Sequence, residues 1–441
     1  MQYLITLLAL VTASPAYAAN PNAKGVSIPL RMITLPVEAG TLPAEARIAK
    51  PKAHKHQANL DTMKHLSKFQ KAGVSRTSVK AFKRHNVPLH TSDRTLWAMD
   101  IQIGTPGQSF IVVPFSGSPN SWVYSTKSKM EENHFGKAFV VKESKTAVLL
   151  DKPEDYRTQY ADGSQAEGQL YADTITIAKL TAEHQQFTVG KRMGPDFFSG
   201  DMTIDYRIGR HFPVDGVLGL QPSPSNIINT LFSAGKITSP IFAMYLSPGK
   251  DSELFIGGIN PTKHTGHITY TQLLEQDDQW MVLGIISASA DASAGSEITY
   301  ILPMIIESGI TFMEGPKAFV SELWKALGGE EYSLSPFGNQ GYYTFPCNKF
   351  ARITFTFNDR KFLFTEKDLI VRKLPNRDNV CLGAIRAHNQ NHNFWLLGSH
   401  FMKSVYTIFD MGHNPRVGFA TPVHLKETHK RPGASGSSTG S

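Results

Sequence analysis

From Leu96 onward, apolar and polar residues alternate in short runs. Examples are Trp97-Ala98-Met99-Asp100-Ile101-Gln102-Ile103, Thr174-Ile175-Thr176-Ile177 and Ile353-Thr354-Phe355-Thr356-Phe357, punctuated by Gly and Pro. A period of two over such short stretches marks half-buried strands, so this part of the chain predicts an all-β protein. Helical spacing appears only in short pieces, Ser225 to Ala234 and Ala318 to Leu327. The last ten residues, PGASGSSTGS, hold no apolar run and read as a flexible tail and not as a lipid-anchor signal.

The pattern repeats once. An apolar strand leading into Ser-Gly occurs as Val112-Val113-Pro114-Phe115-Ser116-Gly117-Ser118 and again as Met304-Ile305-Ile306-Glu307-Ser308-Gly309-Ile310. About a hundred residues after each copy comes an apolar pair and a glycine, Val217-Leu218-Gly219 and Leu396-Leu397-Gly398. Two similar half-chains, each one β lobe, would meet at a cleft.

Composition agrees: with 441 residues, 41% hydrophobic and 19% charged, the chain can bury two or more cores. The first eighteen residues carry an apolar run from Tyr3 to Val11 and end in Ala16-Tyr17-Ala18, the pattern of a secretory signal cut after Ala18. No other stretch approaches the roughly 18 to 20 apolar residues of a membrane span. Charge is uneven. Residues 19–90 hold thirteen Lys/Arg against three Asp/Glu, so they carry +10 of the net +8 and the remainder sums to −2. Such a basic stretch could serve nucleic acid or anionic lipid. Directly behind a signal peptide and ending in Lys83-Arg84, it reads as a cationic prosegment that docks on an acidic body and is removed near that pair; a solvated basic tail that stays attached is the alternative.

Cys347 and Cys381 are the two cysteines. In an exported chain a bridge between them would persist, and closing their 34-residue separation would contribute roughly 3–4 kcal/mol in the chain-entropy picture. His388 and His392 lie four apart, but a zinc site needs a third ligand and their Asn/Gln surroundings suggest a loop. The chain holds neither a Gly-x-Ser-x-Gly elbow nor a phosphate-binding glycine loop.

Six stretches in register carry a specific resemblance: Ile103-Gly104-Thr105-Pro106-Gly107-Gln108, Ser116-Gly117-Ser118-Pro119-Asn120-Ser121-Trp122, Tyr160-Ala161-Asp162-Gly163-Ser164, Asp215-Gly216-Val217-Leu218-Gly219-Leu220, Phe255-Ile256-Gly257-Gly258-Ile259-Asn260-Pro261 and Trp395-Leu396-Leu397-Gly398. In order and spacing, over residues 96 to 422, they resemble the pepsin-like aspartic endopeptidases. The resemblance implies a bilobal all-β fold. It divides the chain into a signal peptide (1–18), a basic prosegment (19–90), an N-terminal β lobe with a flap (91–245), a C-terminal β lobe (246–424) and a flexible tail (425–441). The prosegment and the Cys347/Cys381 pair also resemble the family's.

The family's chemistry needs two Asp side chains, one per lobe, sharing a proton across a bound water: one takes the water's proton as it attacks the scissile carbonyl, the other donates to the carbonyl oxygen. Carried over residue by residue, the first falls on Phe115 and the second on Glu307, and both are changed. A phenyl ring has no proton to exchange. Glu307 adds a methylene, about 1.5 Å, where misplacement of about 1 Å can already cost on the order of 10²-fold in rate. Beside a ring in the position the resemblance gives it, Glu307 is expected to be desolvated with a raised pKa. The hydroxyl expected three residues after each Asp survives as Ser118 in lobe one and is replaced by Ile310 in lobe two. The loop-bracing hydroxyls survive as Ser116 and Ser308, beside Gly117 and Gly309.

The resemblance also gives Tyr160 as the flap tyrosine, Trp122 as the residue that can hold its hydroxyl, and Gly163 and Ser164 in the flap's turn, where Asp-Gly supplies positive φ angles. No cofactor and no metal are implied. The expected partners are the chain's own prosegment and a peptide or protein ligand in the cleft, with no nucleic acid and no membrane, for a secreted monomer. Two readings follow: a pseudoprotease that keeps a peptide-binding cleft, or an atypical acid endopeptidase in which Glu307 alone activates water. A carbohydrate- or inhibitor-binding module on the same fold follows only by analogy.

Overall fold

The structure, a computed structural model, describes residues 25–34, 95–129, 137–150, 156–159, 165–193, 214–248, 251–274, 279–289, 298–332, 341–349, 352–374, 377–388 and 393–428. The alternating runs form strands where expected. Trp97 to Ile103 lies in Thr95–Ile103, Thr174 to Ile177 in Gln165–Ile177, and Ile353 to Phe357 in Arg352–Phe357. Alternation does the sorting: Met99, Ile101 and Ile103 are buried, while Asp100 and Gln102 between them face water.

The two halves share a topology that the sequence repeat only hinted at. In lobe one, Thr95–Ile103 pairs antiparallel with Gln108–Phe115, which pairs parallel with Gly216–Gly219. That strand runs antiparallel to Trp122–Lys129, itself parallel to Leu180–Met193. In lobe two the same alternation links Met281–Ser289, Ile298–Ile306, Trp395–Leu397, Met313–Pro316 and Ile385–His388. Each five-strand set belongs to a larger sheet, of ten strands in lobe one and seven in lobe two.

A six-stranded antiparallel sheet joins the lobes, in the order Val26–Pro29, Glu253–Ile256, Ile241–Tyr245, Tyr406–Asp410, Arg416–Pro422, His264–Gln272. Its first strand lies inside the basic leader. The next segment, Arg31–Thr34, adds to the lobe-one sheet beside Thr95–Ile103. Residues 25–34, within the stretch expected to be a cationic prosegment docking on an acidic body, are therefore docked by sheet pairing and not by charge alone. Charge counting could not distinguish the two, because Ile28 and Leu30, which fill the core, carry no charge. Lys83-Arg84 lies outside the described residues.

Both helical pieces form. Ile227–Ser233 starts at Asn226, whose side chain accepts from the Ile228 N–H at 2.9 Å and so caps an otherwise unsatisfied donor. Lys317–Ala326 buries Val320, Leu323 and Trp324. A four-stranded sheet holds Tyr342–Pro346 against Val380–Gly383, and the Cys347–Cys381 disulfide closes beside it, its Cα atoms 5.1 Å apart. Among the described residues, no helix is long and apolar enough to cross a membrane.

Candidate functional site

The two Ser-Gly loops leave equivalent strands and face each other across the lobe boundary. Gln108–Phe115 ends on Phe115, and Ile298–Ile306 ends one residue before Glu307. Each loop is tied to its own lobe by backbone bonds: the amides of Leu220 and Ser118 donate to the Phe115 carbonyl at 2.9 and 3.2 Å, and the Glu307 amide donates to Leu397 O at 3.1 Å. The glycines of the repeat permit this closeness. A Cβ at Gly219 would meet Ser118 O at 2.8 Å, and one at Gly398 would meet Ile310 O at 2.7 Å.

Ser116 and Ser308 then lock loop to loop. The Ser116 amide donates to Ser308 Oγ at 2.9 Å, and the Ser308 amide donates to Ser116 Oγ, also at 2.9 Å. Each hydroxyl passes its own proton across the boundary, Ser116 to Ile306 O at 3.0 Å and Ser308 to Pro114 O at 2.8 Å. All four bonds are buried, so they satisfy groups that would otherwise be stranded away from water.

The residues beside these serines pack crosswise. Phe115, 7% exposed, lies against Gly309; Glu307, 9% exposed, lies against Gly117. A Cβ at Gly117 would come within 2.7 Å of Glu307 Cγ and Cδ, and one at Gly309 would overlap the Phe115 ring. Both glycines are thus required by close approach. The arrangement places one ring and one carboxyl at symmetric positions at the base of the inter-lobe boundary.

Ser118 is buried and donates to Asn120 O at 2.9 Å. With a phenyl ring at 115 there is no carboxylate there for the hydroxyl to meet, and it serves a loop carbonyl. Ile310 keeps the loop position through its backbone, accepting from Ser399 N at 2.7 Å. Trp122 is buried, with its indole edge-on to Tyr124, ring centroids 5.3 Å apart. Tyr160, Gly163 and Ser164 lie outside the described residues; the strands on either side, Tyr156–Gln159 and Gln165–Ile177, pair antiparallel up to Gln159↔Gln165.

Several supports escaped the sequence reading. Asp215, buried behind the lobe-one loop, accepts from the Ile111 amide at 2.7 Å and the Lys137 amide at 2.6 Å. Burial, and then the charge of Asp215, push the Tyr124 hydroxyl's pKa well above its ordinary value. In lobe two, Arg386 forms a buried ion pair with Glu314, donates to Tyr342 Oη at 3.1 Å and lies over the rings of Phe312 and Tyr342. The available signal was a charge at an inward position of an apolar strand, which demands a partner. His388 is also buried, Nε2 3.2 Å from Phe394 O, while His392 lies outside the described residues. Among the described residues no group of three His, Cys, Asp or Glu is placed to hold a metal ion.

The family model for eukaryotic aspartyl proteases matches residues 96–422. The chain belongs to that family. It is similar to an aspartic protease of Phaffia rhodozyma, 31% identical over 75% of this chain and 77% of that protein. It is also similar to cathepsin D of Dictyostelium discoideum, 28% identical over 76% and 86%. Pregnancy-associated glycoprotein 6 of Ovis aries is 28% identical over 81% and 90%. The pepsin-like fold expected from the six stretches is the fold observed.

Proposed function

We propose that this chain is a secreted, catalytically silent member of the aspartyl protease family whose cleft binds an extended peptide or protein segment. The observation that carries the reading is Phe115, a buried phenyl ring seated against Gly309 at the position that the resemblance assigns to an acid. Peptide hydrolysis by this family's route needs one carboxyl to hold a proton while another accepts one. Glu307 can play one of these parts at a time, and Phe115 neither. The loop brace through Ser116 and Ser308 nonetheless keeps the scaffold that forms a cleft floor. Strand-like backbone pairing is the recognition mode such a cleft offers. Secretion is supported by the signal pattern of residues 1–18.

The deciding experiment is digestion of a denatured protein by the purified chain from acidic to neutral pH, beside Glu307→Ala prepared identically. Absence of cleavage by both is expected. Cleavage by the native chain that disappears in the variant would overturn the reading in favour of a peptidase working through one carboxylate.

A further inference from the structure

We propose that this chain forms a two-fold symmetric dimer, where its sequence alone suggested a monomer. The outer strand of the lobe-two sheet, Arg360–Thr365, pairs antiparallel with the same strand of a second copy, in the register that sets Leu363 opposite Leu363. Within its own sheet this strand pairs with Arg352–Phe357 alone, from Arg352↔Thr365 to Phe357↔Arg360, and its other side is an open edge among the described residues. Successive residues of an antiparallel strand turn their N–H and C=O groups to alternate sides. The Thr365 amide donates to Asp368 Oδ2 at 2.8 Å, away from Arg352, so Leu363 and Lys361 present their backbone groups outward as well. Phe362 and Phe364 face the main core, while Leu363 is 49% exposed on the opposite face. Sheet edges rarely leave a leucine uncovered beside open ladder groups, because the combination invites another strand.

Charge identifies that strand. From residue 359 to 367 the chain reads Asp-Arg-Lys-Phe-Leu-Phe-Thr-Glu-Lys. Turned end for end about Leu363, Asp359 falls opposite Lys367 of the other copy, Arg360 opposite Glu366, Lys361 opposite Thr365 and Phe362 opposite Phe364. Each facing charge pair is of opposite sign, which favours cross-strand pairing. Glu366 and Lys367 begin the short helix that follows the strand, so these ion pairs flank the ladder. Among the described residues Asp359, Glu366 and Lys367 take part in none of the ion pairs within the chain. Lys361 meets its own copy four residues away along the strand, about 14 Å, beyond the roughly 8 Å screening length at physiological salt. The two-fold also keeps both phenylalanines of each copy on the core face and the leucine pair on the outer one. Two ladder bonds form at the Leu363 pair and one at each Lys361–Thr365 pair, where Asp368 already occupies the Thr365 amide. A strand that complements itself in charge, facing and register is best matched by its own copy.

The purified full-length chain tests this. Cys347 and Cys381 are its two cysteines and are bridged, so Leu363→Cys adds a single free thiol. Paired as described, the two Cα atoms at 363 lie about 5.5 Å apart, within disulfide reach, and mild oxidation is expected to give a covalent dimer on a non-reducing gel. Thr354→Cys is the control: it sits opposite Leu363 on the neighbouring strand, three strand spacings or about 14 Å from its own copy, and should stay uncrosslinked. In sedimentation velocity the native chain should pass from monomer to dimer as concentration rises. Leu363→Lys should move that midpoint about tenfold higher, through the lost leucine contact and two facing lysines, at an unchanged melting temperature. Asp359→Lys should also weaken the dimer, and adding Lys367→Asp should restore it. A native chain that stays monomeric at every concentration would overturn the proposal. So would a dimer that neither Leu363→Lys nor the charge exchange moves, or crosslinking as efficient at 354 as at 363. None of these outcomes depends on what the cleft binds or on whether Glu307 supports hydrolysis.

Discussion

The phenyl ring of Phe115 rests on the α-carbon of Gly309 in the opposite lobe, leaving no room for a Cβ there. Gly309→Ala should therefore destabilise the protein by about 1–3 kcal/mol through overpacking, because a buried planar ring has little freedom to turn aside. Gly117→Ala should cost less, since its neighbour is the more flexible side chain of Glu307. Urea midpoints for the two variants check this. Equal losses would mean that the ring is not what constrains position 309.

Ser116 and Ser308 each serve as donor and acceptor in one four-bond brace. Replacing either by Ala leaves the other's amide without its buried acceptor, a loss of about 1–3 kcal/mol. The double variant should lose clearly less than the sum of the singles, with a coupling above about 0.5 kcal/mol. Simple additivity in a double-mutant cycle would show that the loops are held by something else.

If the cleft is otherwise intact, Phe115→Asp together with Glu307→Asp should create hydrolysis of denatured protein under acidic conditions. Phe115→Asp alone should fall short of the pair by on the order of 10²-fold, because Glu307 still places its carboxyl one methylene too far. Adding Ile310→Ser, which supplies the second hydroxyl, should raise the rate further. A folded but inert double variant would locate the loss of activity in the cleft's shape and not in the missing acid.

Two shielded bases in lobe two, half-buried Lys403 and buried His400, predict pH effects of the same sign in two different windows. Burial lowers the Lys403 pKa to about 8, against a partial pull upward from Asp368. From there up to the ordinary value of about 10.4 the unfolded chain holds a proton that the folded chain has released, so stability should rise with pH across that window, by a few kcal/mol at most. Lys403→Met should flatten the rise.

His400 is held well below its ordinary value by burial and then by Lys403. As pH falls below about 6.5 the unfolded chain gains a proton that the folded one refuses, and stability should drop. His400→Leu should weaken that acid sensitivity. Parallel denaturation curves for native and variant proteins over pH 4 to 7 would refute it.

Much of the lobe architecture was legible because period-two strands and the repeated Ser-Gly signal depend on local order. Phe115 and Glu307 stood out as substitutions against six stretches in register, and the structure brings them to symmetric places. What stayed hidden depends on contacts between residues far apart in the chain. Nothing near Gly309 announces that a ring from lobe one will lie against it, and the Glu314–Arg386 pair links residues 72 apart. How the segment 25–34 docks stayed hidden for a related reason: charge dominates its neighbourhood, while two uncharged residues, Ile28 and Leu30, enter the core.

That placement has a consequence for how the chain is made. Val26 finds its partner Ile256 only after about 230 further residues have been synthesised. At about 5–20 residues per second, this leaves the first strand waiting on the order of 10–50 s. Until then Ile28 and Leu30 have no core to enter, and the inter-lobe sheet lacks its outer strand. The nascent chain must spend that interval with an unpaired apolar strand near its leading end, and chaperone binding during synthesis should concentrate there.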